Sequence, residues 1–390
     1  MEPPAAPARL PVPILTDARM LVGGTGVSTY ARGLAAALPA LTDQPLLLNA
    51  RTTANSAIRW LDAVRPGTRP LARDGAAALS ARDVFRSAHI HFSTWGRLLR
   101  LSSDLPPGIV HWTYPVPLVL DGWINLYTVH DAIPLESPEL TPIDPRRHRA
   151  VLDRILPEAA RLVTVSDSAR SSILATLGCA PDTVVNAGQA VTVTDEPRTP
   201  IPTELRQKGY LLVVGSIEPR KNIADLLAAY RASGTPLPLV LAGPDGWQAE
   251  PILQAIATTP GAIRLPYQTR AQLLGLIAGA RALLFPSLAE GFGLPVIEAM
   301  ALGTATMTSD TGALAEVSGG AALLVDPRDT AAMAAAIAWL GQDDALVATL
   351  GTAGVARAPA FSADRFVDRL RGLYADALHS HRPQGKARTS

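Results

Sequence analysis

Two doubly wound α/β domains facing a central cleft are the fold class the sequence predicts, and three observations carry it. The chain has 390 residues, too many for one ordinary core and enough for two. From Tyr210 onward, short leucine- or valine-rich runs alternate with alanine- and leucine-rich amphipathic ones. The strand-like runs are apolar throughout rather than alternating, as expected of parallel strands covered by helices on both faces.

In chain order, "VPILTDA" reads as a strand, "GVSTYARGLAAAL" as a helix and "PLLLNA" as a strand. "WINLYTVHD", "RLVTVSD" and "TVVNAG" follow as strands, with "RHRAVLDRILPEAA" and "SARSSILATLG" as helices between them. These residues read as a first Rossmann-like domain over 1–193. The stretch 194–209, "TDEPRTPIPTELRQKG" with its neighbours, is poor in large apolar residues and rich in proline and charge, which marks a linker. The second domain, 210–360, runs through "YLLVVG", "NIADLLAAYRA", "LPLVLAG", "PILQAIATT", "AIRLP", "RAQLLGLIAGA", "ALLFPS", "PVIEAMAL", "TATMTSD", "AALLVDP" and "DTAAMAAAIAWL". An amphipathic helix over 361–378 is expected to pack back across the domains, and 379–390 reads as a disordered polar tail.

Composition narrows the class of function. Lys and Arg (35) nearly balance Asp and Glu (34), so bulk charge does not point to nucleic acid and any anion site must be local. A single cysteine, Cys179, allows no internal disulfide and suits a reducing compartment. No apolar run has the length of a bilayer crossing, and the proline-rich start lacks the pattern of a secretion signal, so a cytoplasmic protein is expected. The histidines are scattered and no metal-ligand spacing stands out, so neither metal nor cofactor is expected.

The most informative stretch is "PSLAEGFGLPVIEAMALG" (286–303). A strand, "ALLFPS", leads into a loop whose glycines, Gly291 and Gly293, allow close backbone approach around Phe292 and Leu294. Pro295 then suits the first helical position because its missing N–H would be an orphan there. Amide groups at such a helix start favour a phosphate. Glu290 and Glu298 flank that start, and a carboxylate beside a diphosphate is repulsive, so both fit sugar hydroxyls better than phosphate. A solvating loop acid and a first-turn acid stabilising its own helix account for the same two residues. A second stretch, "VVGSIEPRKNIADLL", carries Arg220 and Lys221 at a strand's carboxyl end, before a helix that Asn222 is placed to cap. Two such cations neutralise a diphosphate; a solvated basic turn is the plainer alternative.

Taken together, "GSIEPRKNIADLLAAY" and "PSLAEGFGLPVIEAMALGTATMTSDTGALAEVSGGAALLVDP" resemble the donor half of family 4 of the glycosyltransferases, retaining enzymes of the GT-B fold marked by Glu-x7-Glu. "TDARMLVGGTGVSTYARGLAAAL", "TVHDAIPL" and "VTVSDSAR" are similar to that family's segments in the first half, so the likeness covers about residues 14 to 378. It implies that 1–193 is the acceptor-binding domain and 210–360 the nucleotide-sugar donor domain, that Glu290 contacts the donor sugar, Glu298 the nucleotide ribose, and Lys221 with Arg220 the diphosphate. Ser216 stands where many members carry arginine, and Ala187 interrupts an Asn-Gly-Val turn found in many relatives. Gly24 and Gly26 lie where the first loop approaches the phosphates, and His130 near the transferred sugar; without the family, a lone strand-end histidine is more often a structural hydrogen-bonder.

The implied activity is metal-independent transfer of a hexose, GDP-mannose-type, to a glycan or lipid-linked oligosaccharide in bacterial polysaccharide or exopolysaccharide assembly. A sugar-nucleotide 2-epimerase of the same fold and a non-catalytic nucleotide-sugar-binding subunit are the alternatives. The arginine- and aromatic-bearing stretch 82–103 offers peripheral contact with the inner membrane, although a helix or strand covered by arginine stems explains it equally simply.

Overall fold

Eight strands make the first sheet, in the order Val184–Asn186, Arg161–Thr164, Ile124–Thr128, Ile109–Trp112, Ile14–Asp17, Pro45–Arg51, Ala78–Arg82, Ala72–Arg73, all parallel except the last pair. Six parallel strands make the second: Ala262–Leu265, Leu239–Ala242, Leu211–Val214, Ala282–Phe285, Ala305–Ser309 and Leu323–Val325. These are seen in a computed structural model that describes residues 9–24, 26–51, 60–61, 63–193 and 196–381. Residues 1–8, positions 194 and 195 of the expected linker, and 382–390 of the expected tail lie outside the described residues.

Counted along the chain, the second sheet has strand order 3-2-1-4-5-6, that of the dinucleotide-binding α/β fold. Its topological switch falls between Leu211–Val214 and Ala282–Phe285, whose residues are all buried. Loops leaving the carboxyl ends of these two strands therefore meet over one crevice, which is where such sheets hold ligands. The first sheet switches between Ile14–Asp17 and Ile109–Trp112. A small third sheet joins Arg69–Pro70, Leu99–Ser102 and Leu118–Leu120.

The last described helix packs on the first lobe. Helix Ala363–Ser380 buries Phe366, Leu370, Leu373, Tyr374 and Ala377, a stripe at helical spacing, against helix Gly26–Leu41. Tyr374 Oη lies 2.7 Å from His111 Nδ1, and His111 Nε2 lies 2.9 Å from Thr128 Oγ1. Burial pushes the His111 imidazole down to about 3, so it is neutral and serves as a packing and hydrogen-bonding group. The helix runs to Ser380, so residues 379 and 380, expected in a disordered tail, belong to it instead.

The two lobes also touch across the cleft. Ser166 caps helix Asp167–Leu177 by accepting from Ala169 N, and its Oγ donates to Gly291 O at 2.8 Å. Glu316, on helix Gly312–Ser318 of the second lobe, accepts from Asp167 N (2.9 Å) and Ser168 N (2.7 Å). A carboxylate thus supplies partners for two orphan donors of a helix in the opposite lobe, a favourable place for negative charge. Glu316→Gln is expected to weaken this clasp by about 1–2 kcal/mol, roughly ten-fold in the closed population, seen as a larger radius of gyration in small-angle scattering; an unchanged radius would mean the clasp holds nothing.

Candidate active site in the interlobe cleft

Four charged side chains converge at the switch point of the second sheet. Strand Leu211–Val214 ends, the chain turns through a short 3-10 segment, Pro219–Lys221, and presents Arg220 and Lys221. Strand Ala282–Phe285 ends, and the following loop delivers Glu290. Lys221 Nζ lies 2.6 Å from Glu290 Oε1, and Arg220 bonds Glu290 Oε2 at 2.5 Å and Glu218 Oε1 at 2.6 Å. The Lys221 ammonium also sits over the Phe285 ring, 4.5 Å from its centroid. Asn222 does not cap the next helix as expected: its backbone is left-handed, with φ 56°, and its side chain donates to Pro327 O instead.

Burial alone would raise the Glu290 carboxyl, but Lys221 and Arg220 outweigh it and hold the group at about 2. Burial lowers the Lys221 ammonium against the pull of Glu290. Two cations and two carboxylates cancel, so the basic turn carries no net charge as it stands. Any anion drawn to these cations has to exchange with Glu290.

Helix Leu294–Ala301 begins four residues after Glu290, with Gly293 as its N-cap at φ 100°, a left-handed backbone that suits glycine. Pro295 is the second helical residue rather than the first. Across the cleft, Leu294 Cδ1 is 3.6 Å from where a Cβ on Gly26 would stand, and the corresponding position on Gly24 is 3.8 Å from the Tyr267 ring. Gly291 rests directly on the first lobe: a Cβ there would lie 2.5 Å from His130 O and 3.1 Å from Asp131 Cβ.

His130 donates from Nε2 to Thr113 O at 3.0 Å, which leaves Nδ1 as an acceptor, and its ring meets Tyr30 edge-on at 5.0 Å. Burial pushes it down to about 4, so it is neutral at physiological pH. Asp131 accepts from Ile133 N and is pushed up to about 6 by burial, with Glu290 adding to this and Arg220 opposing it.

Arg220, Lys221, Glu290, Gly291 and His130 are therefore one cluster, with Gly26 and Leu294 facing each other beside it. Glu298 is elsewhere in the cleft. It is buried and paired with Arg270, which also binds Glu196 at 3.0 Å. Burial raises its carboxyl against the pull of Arg270. A cavity of about 590 Å³ there is lined by Gly24, Arg32, Tyr267, Arg270, Glu298 and Phe366, among others. Ser216 joins neither ion-pair group and packs by Gly246. Phe292, expected at the donor, turns its side chain into the core and meets Phe361 edge-on at 5.5 Å.

Sequence reasoning missed Asp131, Glu218, Arg270, Glu196 and Glu316. Asp131 adjoins His130 in "VHDAIP" and was within reach of the motif. Arg270 carries only a local signal, the capping box of Thr269 and Gln272 around it. Among the described residues, no group of three His, Cys, Asp or Glu is placed to hold a metal ion.

Comparison with known proteins bears on the family and the fold. Residues 198–357 match the family described as glycosyl transferases group 1. The O-antigen chain mannosyltransferase B of Escherichia coli is 36% identical over 250 residues, 60% of this chain and 66% of that protein. A serotype-specific mannosyltransferase WbdA of Escherichia coli is 32% identical over 241 residues, 56% of this chain but 29% of the relative. The chain thus spans 66% of the one and less than a third of the other. Sucrose-phosphate synthase from Thermosynechococcus elongatus superposes at a TM-score of 0.67 and 20% identity, over 95% of this chain and 100% of that one. Anabaena Alr3699/HepE in complex with UDP and glucose does so at 0.66 and 14% identity, over 95% and 100%. At such identities the likeness shows the shared fold of two facing Rossmann-like domains.

Proposed function

The chain carries a group 1 glycosyl transferase domain, and on that premise we propose that it moves a hexose from a nucleotide-diphosphate sugar to a hydroxyl of a glycan with the anomeric configuration kept, in polysaccharide assembly. The observation that carries this reading is the convergence of Arg220, Lys221 and Glu290 at the switch point, with the adjoining Gly291 resting on the His130 carbonyl of the opposite lobe. A leaving diphosphate gains negative charge as the glycosidic bond breaks, and two preplaced cations stabilise that charge. Glu290, displaced from them by the diphosphate, is free to accept from sugar hydroxyls. His130, neutral, offers Nδ1 as a further acceptor from the opposite side. Glu298 holds the ribose, sharing it with Arg270. No protein-held metal takes part in this scheme.

Mannose, delivered as GDP-mannose, is the favoured sugar, because the printed names of the Escherichia coli relatives are mannosyltransferases. A panel of nucleotide sugars, assayed for binding and for transfer to a glycan acceptor, tests the reading. Lys221→Ala is expected to weaken nucleoside diphosphate binding about 10- to 100-fold, or ~1–3 kcal/mol, the scale for losing a charge-assisted contact. Folded Lys221→Ala protein transferring sugar at the parental rate would remove this residue from the mechanism, and product formed without any acceptor would favour an epimerase.

A further inference from the structure

A second concave site lies in the first lobe, outside the cluster described above. It is an open pocket of about 680 Å³ whose lining includes Arg19, Arg86, Arg147, His89 and Trp60. Arg86 and His89 come from helix Val84–Trp95, Arg147 from helix Pro145–Ile155, and Arg19 from the turn after strand Ile14–Asp17. Among the described residues, none of the three guanidinium groups makes an ion pair. This contrasts with Arg220 and Arg270, which are saturated by carboxylates.

The pocket is shaped as well as charged. Arg19 is aimed by two rings, 6.0 Å from the Phe85 centroid and 5.7 Å from that of Tyr114. Arg147 donates to His89 O at 3.3 Å, and the His89 ring stacks on Tyr114. Burial, aided by Arg19 and Arg147, pushes His89 down to about 4, so it adds no charge of its own. Three converging unpaired guanidinium groups suit a phosphate or diphosphate.

Its lining is partly apolar: Trp60 is exposed and Ile90 half-buried. A free sugar phosphate has no use for such a surface, whereas a phosphate esterified to a hydrocarbon chain does.

A hydrogen-bonded relay links the pocket's Arg19 to His130. Asp17, two residues before Arg19, accepts from Thr113 N at 2.6 Å and Thr113 Oγ1 at 3.0 Å, and Thr113 O accepts from His130.

We propose that the Arg19–Arg86–Arg147 pocket is the phosphate subsite of an amphiphilic acceptor, in which a phosphate or diphosphate joins the glycan to a hydrocarbon chain lying over Trp60. The inference rests on the transferase reading above and names the acceptor class for it. The test uses the full chain with three probes: phosphatidylcholine vesicles containing a polyprenyl phosphate, phosphatidylcholine vesicles carrying phosphatidylglycerol at matched charge, and inorganic pyrophosphate in solution. Polyprenyl phosphate vesicles are expected to recruit the protein, pyrophosphate to compete, and the double variant Arg86→Gln, Arg147→Gln to reduce recruitment by at least about ten-fold. Trp60→Ala is expected to weaken the vesicle interaction and leave pyrophosphate binding unchanged. GDP binding measured in parallel should be the same in every variant, which separates failure of this pocket from failure of the donor site. Equal recruitment by phosphatidylglycerol overturns the proposal in favour of a generic anionic surface. Pyrophosphate binding that the double variant removes, without vesicle recruitment, overturns it in favour of a soluble phosphate ester.

Discussion

Glu290→Ala is expected to cripple sugar transfer and, at the same time, to tighten the binding of a bare nucleoside diphosphate. The two effects have one cause. Glu290 neutralises Lys221 and Arg220 in the unliganded site, so a diphosphate must displace it before reaching either cation. Without the carboxylate that exchange disappears, and two buried cations are left for which an anion is the only remedy. Removing one member of a buried ion pair costs about 3–5 kcal/mol, so the variant should melt lower alone and regain much of the loss when GDP is added. Titration calorimetry at pH 7 should show GDP held about ten-fold more tightly or better, whereas transfer should fall by a factor on the order of 100 to 1,000, as when a group placed for the transition state is deleted. Glu290→Gln, which keeps the shape, should give the same signs.

The acid side supplies an independent check. Glu290 is held at about 2 against its ordinary 4.5. A carboxyl with its folded pKa below its unfolded one contributes stability that is complete above 4.5 and is lost as pH falls from 4.5 towards about 2. The difference in melting temperature between parent and Glu290→Gln should therefore shrink across that window. A variant that binds GDP no more tightly than the parent would mean that Glu290 does not compete for the cations, and the exchange scheme would fall with it.

The second sheet was legible because its strands are covered on both faces: "LLVV", "LVLA" and "ALLF" are fully buried, and a continuous apolar run announces that burial directly. Strand Ala78–Arg82, "ALSAR", near the edge of the first sheet, carries a serine and an arginine and gives no such signal. Helix Asp344–Arg357 was passed over because its glycines, Gly351 and Gly354, argue against a helix from propensity alone. They are there for contact: a Cβ on Gly351 would lie 2.7 Å from Gly303 O, and one on Gly354 3.0 Å from Met300 Cα.

The site divides the same way. Glu290, the helix start and the Arg220–Lys221 turn are local patterns, and a single stretch of chain displays each. That Glu290 would be spent on Arg220, 70 residues away, or Glu298 on Arg270, 28 residues away, is a consequence of how two loops and two helices meet. No spacing in the sequence encodes it. The tightness of the loop at Phe292 was equally hidden, since an aromatic in a glycine-rich turn reads as a ligand contact until Phe361 is found behind it.

Gly291→Ala should produce the other large effect, with the opposite signature to Glu290→Ala. The added methyl would stand 2.5 Å from His130 O, closer than carbon and oxygen approach each other, and neither side yields cheaply. His130 follows strand Ile124–Thr128, and the carbonyl of Gly291 is itself held by Ser166 Oγ. Relief therefore comes from separating the lobes at this point, by something on the order of 1 Å, and misplacement of that size costs about 100-fold in rate. Nucleoside diphosphate binding draws on Arg220 and Lys221, both in the second lobe, and should change by less than about three-fold. Single-turnover transfer measured beside GDP affinity reads the two quantities separately. Adding Glu316→Gln, which loosens the same interface from helix Gly312–Ser318, should then do little further harm, because an interface already parted has nothing left for the clasp to hold. Transfer at the parental rate by Gly291→Ala would show that the contact between Gly291 and His130 is not made during turnover, and that the sugar is transferred with the lobes apart.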